Sequence, residues 1–240
     1  MNGTQWLKKL PNKPCPERDK LILDAVYSGL AHCEWVPIKS IIPNHEAIFY
    51  VCDDAVRVDL EDDSRFRPPT SATLAQCCAD LLFASLPTAK VCDLAYKQAA
   101  LTLPATILPA SADMLTIEKS KLFNKLLEEK RKEKNGLIRD CGKAWIISNK
   151  LGIYKKVAVN YGFYDPRAIY KNPSGIRLWQ NAGTRHDRTH TDYSQTLILM
   201  KLECIVDGGN MLVTEVMTHP ELHPLISNEG ILNYTRQPLW

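Results

Sequence analysis

The sequence predicts an α+β domain in which a helical hairpin and a long charged helix pack with a mostly antiparallel sheet. Two observations give the elements: apolar residues recur at helical spacing through the first half, and from Lys143 onward the chain breaks into short apolar runs bounded by turn residues. A third gives their arrangement. No repeat or low-complexity linker divides the chain, so a helix-rich 1–137 and a strand-rich 138–240 are expected to pack as one unit. With 240 residues and 45% hydrophobic content, the chain can bury such a core.

Pro16 opens a first helix in which Leu21, Ile22, Ala25 and Val26 share a face, and Gly29 ends it. Residues 35–42 and 47–52 read as strands around the turn Pro43-Asn44-His45-Glu46, with 55–60 a third strand of the same small antiparallel sheet. Acidic Glu61, Asp62 and Asp63 lead through Arg65, Arg67 and Pro68-Pro69 to Thr70-Ser71, which can cap the apolar helix 72–86. Pro87 breaks that helix and Thr88 caps a second one, 89–100, which gives the hairpin its apolar seam.

A proline-punctuated loop, 103–111, precedes the charged helix 116–134, whose apolar residues Leu122, Phe123, Leu126 and Leu127 recur on one face. Its Glu and Lys alternate in a way that favours i,i+4 pairing over phosphate contacts. Strands follow at 144–148, 157–161, 195–206 and 211–216. Asp207-Gly208-Gly209-Asn210 joins the last two as a hairpin, because glycine supplies the positive φ of a tight reversal. A short helix near Pro220 and a tail complete the reading.

Several function classes lose their support at this level. A formal charge of +3 is too small to argue for nucleic acid, and no apolar run reaches the roughly 18 residues of a membrane span, so a soluble protein is expected. The N-terminal stretch has charge without a following apolar region, so no secretory signal is expected there. The eight cysteines are scattered without C-x-x-C spacing; reduced structural thiols are expected, a pattern that suits the cytoplasm, although their even number leaves disulfides open. No glycine-rich phosphate loop, G-x-S-x-G elbow or EF-hand loop is present, and no cofactor is expected.

The densest group of reactive side chains is Gly183 to Ser194, GTRHDRTHTDYS, just before an apolar strand. His186 and His190 stand four apart, which on a helix would put two imidazoles on one face for a metal, with Asp187 where zincins carry glutamate. A second reading takes His186 as acid/base, Asp192 as its orienting carboxylate, and Ser194 or Lys143 as nucleophile or electrostatic partner. Asp192 and Ser194 are also residue types that turn a chain into a strand. Cys141, flanked by Arg139 and Lys143, is the best cysteine nucleophile, since nearby cations favour a thiolate. Trp179 and Trp240 could stack on sugars or simply pack.

A longer pattern runs through Arg67-Pro68, Ala75-Gln76, Leu86-Pro87-Thr88, Lys90, Asp93, Tyr96, Ser111-Ala112-Asp113-Met114, Lys143 and Tyr161-Gly162. It continues through Gln180, His186, Asp192-Tyr193-Ser194, Val206-Asp207-Gly208 and Glu229-Gly230. As a whole it resembles a group of uncharacterised bacterial proteins, many of them exported, over roughly residues 47–230. In that group the positions of Lys143, Gln180, His186, Asp192 and Ser194 recur, whereas that of His190 does not. This chain has Tyr164 and Gln195 where the group tends to carry histidine, and Ile198 where it tends to carry arginine. Altered activity is one implication, and a non-enzymatic protein that grips a ligand or partner with the same loop is the alternative.

Together these readings favour a hydrolase acting on a polymeric or peptide-like substrate such as cell-wall material. Its expected catalytic residues are His186, Asp192, Lys143 and Ser194, with Gln180, Tyr161 and Tyr193 binding substrate and no partner nucleic acid or membrane span.

Overall fold

The computed structural model describes residues 1–132 and 134–239, and its architecture is α+β. An N-terminal helix that the sequence reading did not anticipate, α1 (Gly3–Lys9), is capped by Asn2, whose side chain accepts the Gln5 N–H. Pro16 then opens α2 (Pro16–Tyr27), which buries Ile22, Ala25 and Val26 as the spacing predicts. After β1 (Ala31–His32), strands β2 (Trp35–Ile42) and β3 (His45–Cys52) pair antiparallel from Trp35 opposite Cys52 to Ile42 opposite His45.

The third expected strand is β4 (Arg57–Asp59). It does not join β2 and β3 but sits between β1 and β5 (Arg65–Phe66) in a sheet of its own. Ser71 caps α3 (Ala72–Leu81) through its hydroxyl, as expected, but the helix stops five residues early. Phe83 takes a φ of 49°, and β6 (Ala84–Ser85) enters the main sheet before Thr88 caps α4 (Ala89–Lys97). The expected hairpin is thereby interrupted, and the apolar face of α3 packs against α2.

β7 (Leu101–Thr102) precedes α5 (Ile117–Arg131), which Lys132 ends by adopting a left-handed conformation, and β8 (Ile138–Arg139) then runs parallel to β7. A four-stranded antiparallel sheet follows, built from β9 (Lys143–Trp145), β10 (Val157–Tyr164), β11 (Tyr170–Lys171) and β12 (Arg177–Asp187) in the order β11-β12-β10-β9. β12 takes in the first five residues of the polar stretch 183–194, which the sequence reads as a loop. The expected strand 195–206 forms only as β13 (Met200–Lys201) and β14 (Glu203–Val206); residues 195–199 instead make single bridges and backbone bonds to Lys143, Pro69, Thr70, Val56 and Cys52. β14 makes the predicted hairpin with β15 (Gly209–Leu212), but Val213 already begins α6 (Val213–Thr218), whose Glu215 carboxylate accepts the Leu212 N–H. A last short helix, α7 (His223–Ile226), follows.

The six-stranded main sheet runs β15-β14-β3-β13-β6, with β2 also on β3. One buried apolar cluster extends from Trp6 and Ile22 through Phe49, Ile146 and Val159 to Leu232, drawing on both halves of the chain. A smaller cluster of Phe123, Leu127, Ile138, Cys141, Phe163 and Tyr193 lies beneath α5 and supports the polar centre. All eight cysteines are free. Among the described residues, no helix is long and apolar enough to cross a membrane.

Candidate functional site

The centre is built on β10 and its two neighbours. Lys143 of β9 lies opposite Gly162, Asn160 lies opposite both Trp145 and Gly183, and His186 of β12 lies opposite Ala158. Cross-strand partners share a face, and alternate residues of one strand share it too, so Lys143, Asn160 and His186 belong to the same face. Small residues, Ala158 and Gly162, leave space between them. β12 carries an extra residue on each side of Gly183 relative to β10, and such bulges re-aim the side chains that follow.

Two glycines let the backbones close around Lys143. Gly142 has a φ of 130°, and a Cβ there would lie 2.5 Å from Thr196 Oγ1 and 2.7 Å from the Ser194 carbonyl oxygen. Gly162 has a φ of 140°, and its Cβ would come within 3.2 Å of Lys143 Cα. Only glycine combines these conformations with this contact. The approach lets the Lys143 N–H donate to the Ser194 carbonyl at 2.7 Å, which draws the residues after the polar loop against β9.

Beyond His186 the chain reverses. Asp187 Oδ1 accepts from the Thr189 N–H at 2.8 Å and from its hydroxyl at 2.7 Å, forming a side-chain-closed turn. The turn brings His190 back over His186, with ring centroids 4.0 Å apart and planes within 5° of parallel. The helical two-histidine arrangement is therefore not what forms: His186 ends a strand, His190 follows a turn, and Asp187 is committed to Thr189.

Asp192, only 4% exposed, is the hub. Its N–H donates to Gln195 Oε1 at 2.8 Å, and its Oδ1 accepts from the Ser194 N–H at 2.8 Å and the Ser194 hydroxyl at 2.5 Å. Oδ2 lies 3.5 Å from Lys143 Nζ and 3.6 Å from His190 Nε2. Lys143 Nζ also stands 5.6 Å above the Phe163 ring. Burial opposes the charge on Asp192, but His190, Lys143 and Ser194 together hold its carboxyl well below the usual range. Burial, then the neighbouring His190, Lys143 and Arg185, push the His186 imidazole down to about 4 against the opposing pull of Asp192. At neutral pH, His186 is therefore uncharged and Asp192 anionic.

Lys143, Asp192 and Ser194 are thus brought together, and His186 joins them through its stack on His190 rather than by touching Asp192. Only the imidazoles are half-exposed; Lys143, Asp192 and Ser194 are buried. Gln180 is half-buried on β12 with its Nε2 donating to the neighbouring Asn181 carbonyl, opposite Gly162. Tyr161 points the other way, its hydroxyl donating to Asp93 and accepting from Asn172, and the Tyr193 hydroxyl is held by the backbone of Leu108 beneath the centre. Cys141 is fully buried, and burial together with the nearby Asp54 pushes its thiol well above the ordinary value, so the expected thiolate does not form. Half-buried Trp179 donates to Asp165 Oδ2 at 3.3 Å, and Trp240 lies outside the described residues.

The sequence reading gives His190 only a secondary metal role and assigns no site role to Asn160, Thr191 or Gln195. All three are buried and carry a side-chain atom without a hydrogen-bond partner: both amide atoms of Asn160, the Thr191 hydroxyl and Gln195 Nε2. One signal for His190 was present. His186, His190 and Asp192 follow one another at short spacing, and their ligand atoms all lie within 4.8 Å of one another. Comparison with protein-family models, curated proteins and solved structures finds no match to this chain.

Proposed function

We propose that the chain is a hydrolase that activates water at the face formed by His186, His190 and Asp192. Lys143 stands beside it to neutralise negative charge on the attacked group. The observation that carries this reading is the convergence, on one buried carboxylate, of an imidazole, an amine and a hydroxyl delivered by β9, the turn after β12 and the segment beyond it. Burying a carboxylate is costly unless several groups compensate it, and a compensated carboxylate beside reachable imidazoles fits a functional role. The half-exposed imidazoles are the part of the centre that a substrate can reach.

Support for a polymeric or peptide-like substrate comes from the resemblance to exported bacterial proteins. Of the three positions where this chain departs from that group, Gln195 bridges Lys143 at the centre, whereas Tyr164 and Ile198 line a separate small cavity with Tyr161 and Asp140.

The test is a hydrolysis screen over peptides and cell-wall glycopeptides with His186→Ala and His190→Ala as controls. Each substitution is expected to lower kcat/KM by about 10²- to 10⁴-fold with the far-UV spectrum unchanged. Turnover that survives both substitutions overturns the assignment. A ligand bound but never hydrolysed supports instead a binding protein using the same loop.

A further inference from the structure

We propose that His186, His190 and Asp192 together hold one divalent transition-metal ion, with Zn²⁺ the best match to their donors. Two imidazole nitrogens and one carboxylate oxygen are a donor set that zinc takes, and three protein ligands leave a fourth position for water. Their ligand atoms already lie within 4.8 Å of one another. Donors on one tetrahedral zinc sit about 3.4 Å apart at ordinary bond lengths, so the triad must contract by roughly an ångström.

Two features show how it can. Ser194 anchors Asp192 Oδ1 through its hydroxyl and N–H, which leaves Oδ2 turned toward His190. An outer partner of this kind fixes a ligating carboxylate. His190 Nε2 stands 3.6 Å from Asp192 Oδ2, longer than an ordinary hydrogen bond, and its side chain is 30% exposed at a turn, so the ring can move. It has to, because parallel rings direct their lone pairs along parallel planes. Closing on one ion therefore means tilting His190 off its stack with His186. Lys143, 3.5 Å from the same oxygen, opposes the ion by charge, so affinity is expected to fall below that of a closed structural zinc site.

The inference rests on the hydrolytic reading only for its chemistry, in which the ion lowers the pKa of its bound water toward neutrality. Binding itself stands on the geometry.

The experiment is a titration of the metal-stripped full chain with Co²⁺ and Zn²⁺, followed by absorption and calorimetry. One Co²⁺ per chain is expected, displaced by Zn²⁺ and lacking the thiolate charge-transfer band that the free cysteines would give. Ser194→Ala should weaken binding about ten- to hundredfold, and His186→Ala or His190→Ala should weaken it more, with circular dichroism confirming the fold. Absence of stoichiometric binding, a thiolate band, or unchanged affinity in both histidine variants overturns the site. Cobalt binding without turnover upholds it and sinks the hydrolytic reading. Turnover by stripped protein that binds no cobalt sinks the metal site and leaves hydrolysis standing.

Discussion

Asp140 and Asp192 are both buried, and their surroundings treat them in opposite ways. Asp192 is compensated from several sides; Asp140, 2% exposed, borders an apolar cavity with Cys92, Tyr164 and Ile198, and its Oδ2 has no partner. Burial raises its carboxyl to about 8, only partly offset by the N–H groups of Tyr164, Phe163 and Gly142. A carboxyl whose folded pKa exceeds its unfolded value of about 4 contributes stability below pH 4 that is lost progressively as pH rises toward 8. Asp140→Asn keeps the shape and removes the ionisation. Its melting temperature should therefore fall less than the wild type's between pH 5 and pH 8, and parallel profiles for the two proteins would refute the assignment. Cys141 teaches the same lesson about reading residues from sequence. Arg139 looks in sequence like a cation for its thiol, yet the guanidinium is spent on the Cys52 and Asp54 carbonyls, while the Asp54 carboxylate faces the sulfur. Neighbours along the chain were legible; neighbours across it were not.

At the level of elements, helices α2 to α5 were legible because their signals are local: a proline or capping hydroxyl with an apolar stripe at Pro16 for α2, Ser71 for α3 and Thr88 for α4, and the apolar stripe alone for α5. β12 was not. One extra residue on each side of Gly183 breaks the two-residue alternation by which strands are recognised, and most of its side chains are polar and half-exposed. The early stop of α3 has a related cause, since Ala84 and Ser85 pair with β13 in the main sheet, which outweighs their local helical preference. The close approach of β9 to the 194–196 segment gives a prediction at this scale. Gly142→Ala must accommodate both a positive φ and a Cβ 2.5 Å from Thr196 Oγ1, and should cost at least about 2 kcal/mol while displacing Lys143 from Asp192. Gly208→Ala, at a φ of 82° with nothing within 4 Å, should cost only about 1 kcal/mol and leave the centre intact. Denaturant unfolding of the two variants decides the matter; equal losses would mean that the contact at Gly142 is not what holds the strand.

Across the whole molecule, segments distant in the chain are joined by charge as well as by apolar packing. Arg67, fully buried after β5, donates from Nε to Asp54 Oδ1 at 2.7 Å and from Nη2 to Oδ2, while its Nη1 lies 2.9 Å from Glu128 of α5. Arg139 reaches into the same place from β8, and Glu128 is also held by Arg131. The fold class was legible from periodicity, but this junction was not, because Arg67 and Arg139 reach Asp54 across 13 and 85 positions of the chain. Burial opposes the Asp54 charge, yet Arg67 overcomes it and holds the carboxyl down at about 2. A folded pKa below the unfolded value of about 4 gives stability that is present above pH 4 and lost as pH falls toward 2, about 2–3 kcal/mol in all. Removing the anion outright is worse, because it leaves a buried guanidinium without its bidentate partner. Asp54→Asn should cost about 3–5 kcal/mol at pH 7 and flatten the acid limb of the stability profile. Chemical denaturation at pH 7, 4 and 2.5 measures both effects, and an unaltered acid limb in the variant would show that acid unfolding is governed by other carboxylates.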